Sequence, residues 1–196
     1  MIYIATTNID KYKNISYQIR LLNPSLKIKT IVSFNIKPPD ENGKNEKENC
    51  LIKAKCYYSI IKKAIISEDS GVYFDHLSID LQPSSVIRNK NFDINSPIDY
   101  WRQYIIKNKI NTGKIIKYYC IACKDKYFIC KIIVPVTFNT DLLTPNPSIT
   151  NFFNYLMIPK GYPALISNLT HQQKDDLYKQ YYLPSLKKIF QNSGFK

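Results

Sequence analysis

Two runs rich in β-forming residues, Ile115–Cys123 and Lys126–Phe138, are separated only by Lys124-Asp125. Long strands joined by two residues pair as an antiparallel hairpin. Such a ribbon needs further layers to bury it, so a purely helical fold is excluded. The other segments supply those layers. Ile2–Ala5 is short and apolar and reads as a buried strand rather than a signal peptide. Asn8 and Asp10 can cap a helix over about Lys11–Leu22, which Pro24 ends. Leu26–Phe34 reads as a second strand, and Pro38–Gly43 as a turn-rich link. Asn45–Lys63 is the clearest helix, with Leu51, Ala54, Tyr58 and Ile61 recurring at spacings of three and four. Ala64–Ser67 and Gly71–Phe74 read as two short strands on either side of Glu68-Asp69-Ser70. Residues 78–95 and 139–149 read as loops. Ser96-Pro97 opens a helix to about Lys109 that carries Trp101. Asn151–Met157 reads as a short helix or strand. Thr170 caps a last helix to about Gln191, interrupted by Pro184. This order predicts one α/β domain with a mixed sheet.

The charge narrows the function classes. Against 15 acidic residues stand 28 Lys and Arg, a net +13. Such a surface suits nucleic acid, membranes or polyphosphates. The lysines are scattered, however, and no basic arm or nucleic-acid motif is present. The reading is compositional drift around a locally basic phosphate pocket. No apolar run is long enough to span a bilayer. The five cysteines, Cys50, Cys56, Cys120, Cys123 and Cys130, read as reduced thiols of a cytoplasmic protein. Cys120 and Cys123 lie three apart on a strand and so face opposite sides, which suits a core better than a metal. The lone His171 reads as a surface residue.

Three segments concentrate polar chemistry. Thr6-Thr7-Asn8-Ile9-Asp10-Lys11 lies where the first strand meets a helix N-terminus, a favourable place for an anion, although a plain cap has the same sequence. Asn49 and Lys53 are one helical turn apart, with Glu48 beside them, a pattern shared with ordinary charged helix starts. Glu68-Asp69-Ser70-Gly71 puts two acids at the expected end of an apolar strand, where open α/β sites lie, and hard oxygens of that kind suit Mg²⁺.

Taken together, the segments resemble the inosine triphosphate pyrophosphatase family, hydrolases of non-canonical purine nucleoside triphosphates. The family's Thr-Gly-Asn-x-x-Lys matches Thr6-Thr7-Asn8-Ile9-Asp10-Lys11. Its Glu-x-Gly-x-Thr-Phe-x-Glu-Asn-Ala-x-x-Lys-Ala matches Glu41, Gly43, Glu48, Asn49, Lys53 and Ala54. Its Asp-Asp-Ser-Gly-Leu-x-Val-Asp-x-Leu matches Glu68 through Leu77. Pro83 and Arg88 follow its next loop. The resemblance implies an elongated, two-lobed ITPase-like α/β fold, with a long central mixed sheet flanked by helices and a nucleotide cleft between the lobes. It also implies a homodimer, Mg²⁺ as cofactor, and cleavage between the α and β phosphates of a purine nucleoside triphosphate. Carried over, Thr6, Asn8, Lys11, Asn49, Lys53 and Ser70 would contact the triphosphate. Glu48, Glu68 and Asp69 would hold the metal, with Asp69 activating water and Glu48 and Lys53 serving catalysis.

The carboxy-terminal half departs from that pattern. The family's Phe-Gly-Tyr/Trp-Asp-Pro falls on Asn151–Tyr155, which keeps only Phe152 or Phe153 to stack on a base. Its base-reading Ser-His-Arg falls on Tyr178-Lys179-Gln180, so Lys179 and Gln180 inherit that position, and a bidentate Arg is lost. Two expectations follow. One is an active hydrolase with altered base preference. The other is a sensor subunit that binds an inosine-type triphosphate such as dITP with little turnover and controls an effector, for example an NAD-consuming protein of antiviral defence.

Overall fold

The computed structural model describes residues 1–85, 96–141 and 151–195. Six strands form one sheet: β1 (Ile2–Ile4), β2 (Ile28–Thr30), β3 (Ile65–Phe74), β4 (Thr112–Cys123), β5 (Lys126–Phe138) and β6 (Met157–Pro159). Their order is β2-β1-β3-β4-β5-β6. β1 runs parallel to both β2 and β3, whereas β5 and β6 are antiparallel, so the sheet is mixed as expected. The helices are α1 (Ile9–Leu22), α2 (Glu46–Ile61), α3 (Pro97–Lys107), α4 (His171–Leu177) and α5 (Leu183–Asn192). Each parallel link, β1 to β2 and β2 to β3, passes through a helix, as parallel strands require.

The chain forms two compact units. The first comprises Met1–Ser70, Lys117–Ile132 and Leu177–Lys196. On one face of its sheet α2 packs Cys50, Ala54, Tyr57, Tyr58 and Ile61 against Tyr3, Ala5, Ile65, Cys120 and Ala122. On the other face Tyr119 donates its hydroxyl to Gln18 Oε1 of α1 at 2.8 Å. The alternation of Tyr119 and Cys120 between faces is the period-two rule of a strand. The hairpin turn holds Lys124 at φ 49° and Asp125 at φ 54°, the paired left-handed conformation that two-residue hairpins favour. The second unit comprises Gly71–Ile116 and Ile133–Asp176. Its core gathers Phe74, Ile98, Trp101, Ile105, Ile110 and Leu156. Gly113 lies so close to the Tyr73 carbonyl and the Phe138 ring that a Cβ there would collide with both.

Several sequence expectations change. Leu26–Phe34 is not one strand: three residues pair as β2, then Val32–Phe34 turn as a 3₁₀ segment. The two short strands at Ala64–Ser67 and Gly71–Phe74 are one, because the acids at 68 and 69 continue β3 instead of breaking it. Residues 78–95 are not wholly loop, since Ile79–Leu81 forms a 3₁₀ turn. Arg88 and the rest of that stretch from 86 lie outside the described residues, as do residues 142–149 of the second expected loop. Asn151–Met157 resolves into a 3₁₀ turn, Phe152–Tyr155, followed by β6. Thr170 does open the last helix. Its hydroxyl accepts from Gln173 N–H while its own N–H donates to Gln173 Oε1, a reciprocal cap. Before Pro184 the helix widens into a π turn, Tyr178–Tyr182, and Pro184 then sits in the first turn of α5, where its missing N–H costs little. His171 is exposed.

Candidate functional site

The polar cluster of the first unit begins where β1 stops. β1 accompanies β3 only through Tyr3↔Ile65 and Ile4↔Ile66, ending with Ala5 N–H on the Ile66 carbonyl. β3 runs on to Phe74, so Glu68, Asp69 and Ser70 lie past the carboxyl end of β1. The chain turns there through Thr6, whose Oγ1 accepts from Asn8 N–H at 3.1 Å. Asn8 Oδ1 accepts from the N–H groups of Asp10 and Lys11, at 2.9 and 3.1 Å. Asn8 is therefore the cap of α1, and the cap orients Lys11.

Strand alternation then separates the two acids. Ile65 and Ser67 face α2, where Ser67 Oγ donates to the Cys50 carbonyl, so Asp69 faces α2 as well. Asp69 Oδ1 meets Lys53 Nζ of α2 at 2.8 Å. Glu68 points to the α1 face, where Oε2 meets Lys11 Nζ at 3.1 Å and Oε1 meets Lys117 Nζ at 3.1 Å. Its side chain is 2 % exposed, so both oxygens are committed to lysines. A second carboxylate, Glu41, reaches Lys53 Nζ at 3.0 Å.

Glu48 and Asn49 have a different task. Glu48 Oε2 accepts from Lys44 N–H at 2.8 Å, and Asn49 Oδ1 accepts from Gly43 N–H at 2.8 Å. Both tie down the loop that carries Glu41. Gly43 has no room for a Cβ against Asn49 and Glu48. Glu48, Glu68 and Asp69, the three acids singled out for a metal, therefore do not converge. One serves the loop and the other two face opposite sides of the sheet. Among the described residues no group of three or more His, Cys, Asp or Glu gathers around one point. Glu41 meets Asp69 at Lys53 Nζ, and the signal for it in the sequence was the Glu-x-Gly spacing. Lys117 was missed, although a single lysine within the apolar run Ile115–Cys123 marked it.

The electrostatics follow from burial. Burial alone would raise Glu68, but Lys117 and Lys11 outweigh it and hold the carboxyl at about 2. Burial alone would lower Lys117, and Glu68 reverses that and raises it. Lys53 is likewise raised: Asp69 and Glu41 together overcome its burial. Asp69 is raised because burial outweighs the pull of an ammonium that it shares with Glu41. A carboxylate raised in this way accepts a proton more readily than an exposed one. Burial pushes Tyr182 of the π turn up to about 12 against the opposing pull of Lys117.

The remaining predicted residues lie elsewhere. Ser70 follows Asp69 on β3, partly exposed, on the Glu68 side by alternation. Lys179 and Gln180 stand exposed on the π turn of the first unit. Phe152 and Phe153 belong to the second unit, where Phe153 packs on Trp101 with ring centroids 5.3 Å apart and Phe152 packs on Phe153 at 4.8 Å. Cys120 and Cys123 are buried in β4, and among the described residues all five cysteines are free thiols. No described helix is long and apolar enough to cross a membrane.

Comparison with known proteins bears on the fold and on the first half of the chain. Residues 2–87 match the Ham1 family. A dITP/XTP pyrophosphatase of Borrelia duttonii is 29% identical over 181 residues, 89% of this chain and 75% of that protein. The Staphylococcus aureus Ham1 protein shares the fold with a TM-score of 0.75 at 14% identity, over 97% of this chain and 98% of its own. A Ham1 protein from Coxiella burnetii does so with a TM-score of 0.73 at 16% identity, over the same shares. The stretch that matches the Ham1 family, 2–87, is the one that supplies Asn8, Lys11, Glu41, Lys53, Glu68 and Asp69.

Proposed function

We propose that the chain binds non-canonical purine nucleoside triphosphates, of the ITP, dITP or XTP type, in the cytoplasm and hydrolyses them to the monophosphate and pyrophosphate. The observation that carries this reading is the meeting of Lys53 with Asp69 and Glu41 beside the Lys11–Glu68 pair, past the end of β1. Phosphoryl chemistry needs chiefly charge neutralisation and positioning, and ammonium groups on short tethers supply both. Lys11 and Lys53 would hold the triphosphate, with Thr6 and Asn8 shaping the turn beneath it and Ser70 donating to a phosphate oxygen.

The donor set fits a hard divalent cation. Two carboxylates, Glu41 and Asp69, meet at one ammonium, and Mg²⁺ is held by one or two carboxylates with phosphate oxygens and waters completing its shell. Glu41 and Asp69 would hold Mg²⁺, which would neutralise phosphate charge and lower the pKa of the attacking water. Asp69, raised by burial, takes the proton as the water oxygen bonds to the α-phosphorus. The bridging α–β bond breaks and pyrophosphate leaves. Glu68, with one lysine on each oxygen, would stay out of the metal shell, and Glu48 and Asn49 keep the Glu41 loop in place. Lys179 and Gln180, of the same unit as Lys11 and Lys53, would donate to the base.

The test is to incubate the protein with Mg²⁺ and dITP, XTP, ITP or ATP and follow pyrophosphate. Turnover of about 1 per second or more on the first three, lost in Asp69→Asn, is the expected result. No pyrophosphate and no binding of any of them refutes the reading. A second reading has its own observation: Tyr178-Lys179-Gln180 stand in a π turn where the family has Ser-His-Arg. Tight dITP binding without turnover would make the chain a sensor subunit, paired with itself or with an effector.

A further inference from the structure

We propose that Lys117 is a positioning residue whose role is to free Lys11 for a polyphosphate, an inference that rests on the reading of Lys11 given above. Glu68 is buried and takes one lysine on each oxygen, Lys11 at 3.1 Å and Lys117 at 3.1 Å. The triad therefore carries two positive charges against one negative. With Lys11 as its only partner, Glu68 would form a closed, neutral pair. Drawing that ammonium toward a ligand would then strand a buried carboxylate, which is strongly unfavourable. Lys117 removes the obstacle by keeping Glu68 compensated when Lys11 leaves.

The two lysines are carried by different elements. Lys11 sits in the first turn of α1 with a side chain 35 % exposed, whereas Lys117 sits inside β4 and is 25 % exposed. Tyr178 and Tyr182 of the π turn lie close enough to Lys117 to act on it electrostatically. In this division of labour Lys117 keeps Glu68 compensated, while Lys11, carried at the N-terminus of α1 where an anion is favoured, turns to the ligand.

The experiment is calorimetric titration of the whole chain with inorganic triphosphate, which contains no base, for wild type, Lys11→Met, Lys117→Met, Lys117→Arg and the Lys11→Met/Lys117→Met double variant. The expected result is a loss of affinity of about tenfold or more in Lys117→Met, and recovery to within about threefold of wild type in Lys117→Arg. The double variant should bind no worse than Lys11→Met alone, because Lys117 acts through Lys11. If Lys117→Met fails to fold, Lys117→Gln, which still donates to Glu68 but lacks the charge, takes its place with the same expected loss. Wild-type affinity in the uncharged variant, or losses that add in the double variant, overturns the positioning role alone. Wild-type affinity in Lys11→Met overturns the reading of Lys11 and this inference with it, so the two failures are distinguishable.

Discussion

Replacing Glu68 by Gln keeps the shape of the side chain and removes the charge that two lysines share. Near neutral pH the variant leaves Lys117, partly buried on β4, without its carboxylate partner. The structure sets the size of the effect. Glu68 is held at about 2 against an ordinary 4.5. At about 1.4 kcal/mol for each pH unit, this amounts to about 3 kcal/mol of folding stability. The carboxyl is depressed, so its contribution is complete above about pH 4.5 and is lost as the pH falls toward about 2. The gap between wild type and Glu68→Gln should therefore be about 3 kcal/mol near neutrality and close almost entirely in acid. Urea titrations at about pH 7, 4.5 and 2.5 would measure it. Far-UV circular dichroism is the suitable probe, because Trp101 belongs to the other unit and would not report on the triad. A gap of the same size at every pH, or no gap near neutrality, would refute the reasoning.

Asp69→Asn should keep nucleotide binding within a few-fold and lower kcat by about a hundredfold or more, read from pyrophosphate release, since it keeps an oxygen for Lys53 but loses the proton acceptor. Lys53→Met should weaken inorganic triphosphate binding by at least about tenfold in calorimetry, as it also leaves Asp69 and Glu41 facing each other unscreened. Gly113→Ala should cost about 1–3 kcal/mol by chemical denaturation, because the methyl group meets the Tyr73 carbonyl and the Phe138 ring. Lys124→Gly should raise stability by up to about 1 kcal/mol in the same assay, since residue 124 holds φ 49° and glycine adopts that conformation freely.

The hairpin, α1, α2 and α3 were legible because each carries its own local signal: a two-residue turn, an Asn8 cap, a long periodic face, a proline in the first turn. The single strand across Glu68-Asp69 was not. Acids disfavour strands in isolation, and only the lysines delivered by α1, α2 and β4 make that stretch tolerable in a sheet. The same blindness explains why the meeting of Glu41 with Asp69 at Lys53 was not foreseen. One helical turn relates Glu48 to its neighbours by arithmetic, but the path of the Glu41–Gly43 loop depends on Asn49 reaching back to Gly43, a contact with no periodicity. Lys117 needed knowledge of which strand lies beside β3. The π turn was foreshadowed by Pro184, although the sequence shows only that a helix is disturbed there, not how.

The brevity of β1 has a consequence of its own. Lys11 and Lys53 approach β3 from opposite sides, so a molecule gripped by both has to straddle that strand like a rider. It can do so only because the neighbouring lane is vacated after Ile4. A longer first strand would add ladder bonds and tighten the sheet, and it would also shut the saddle.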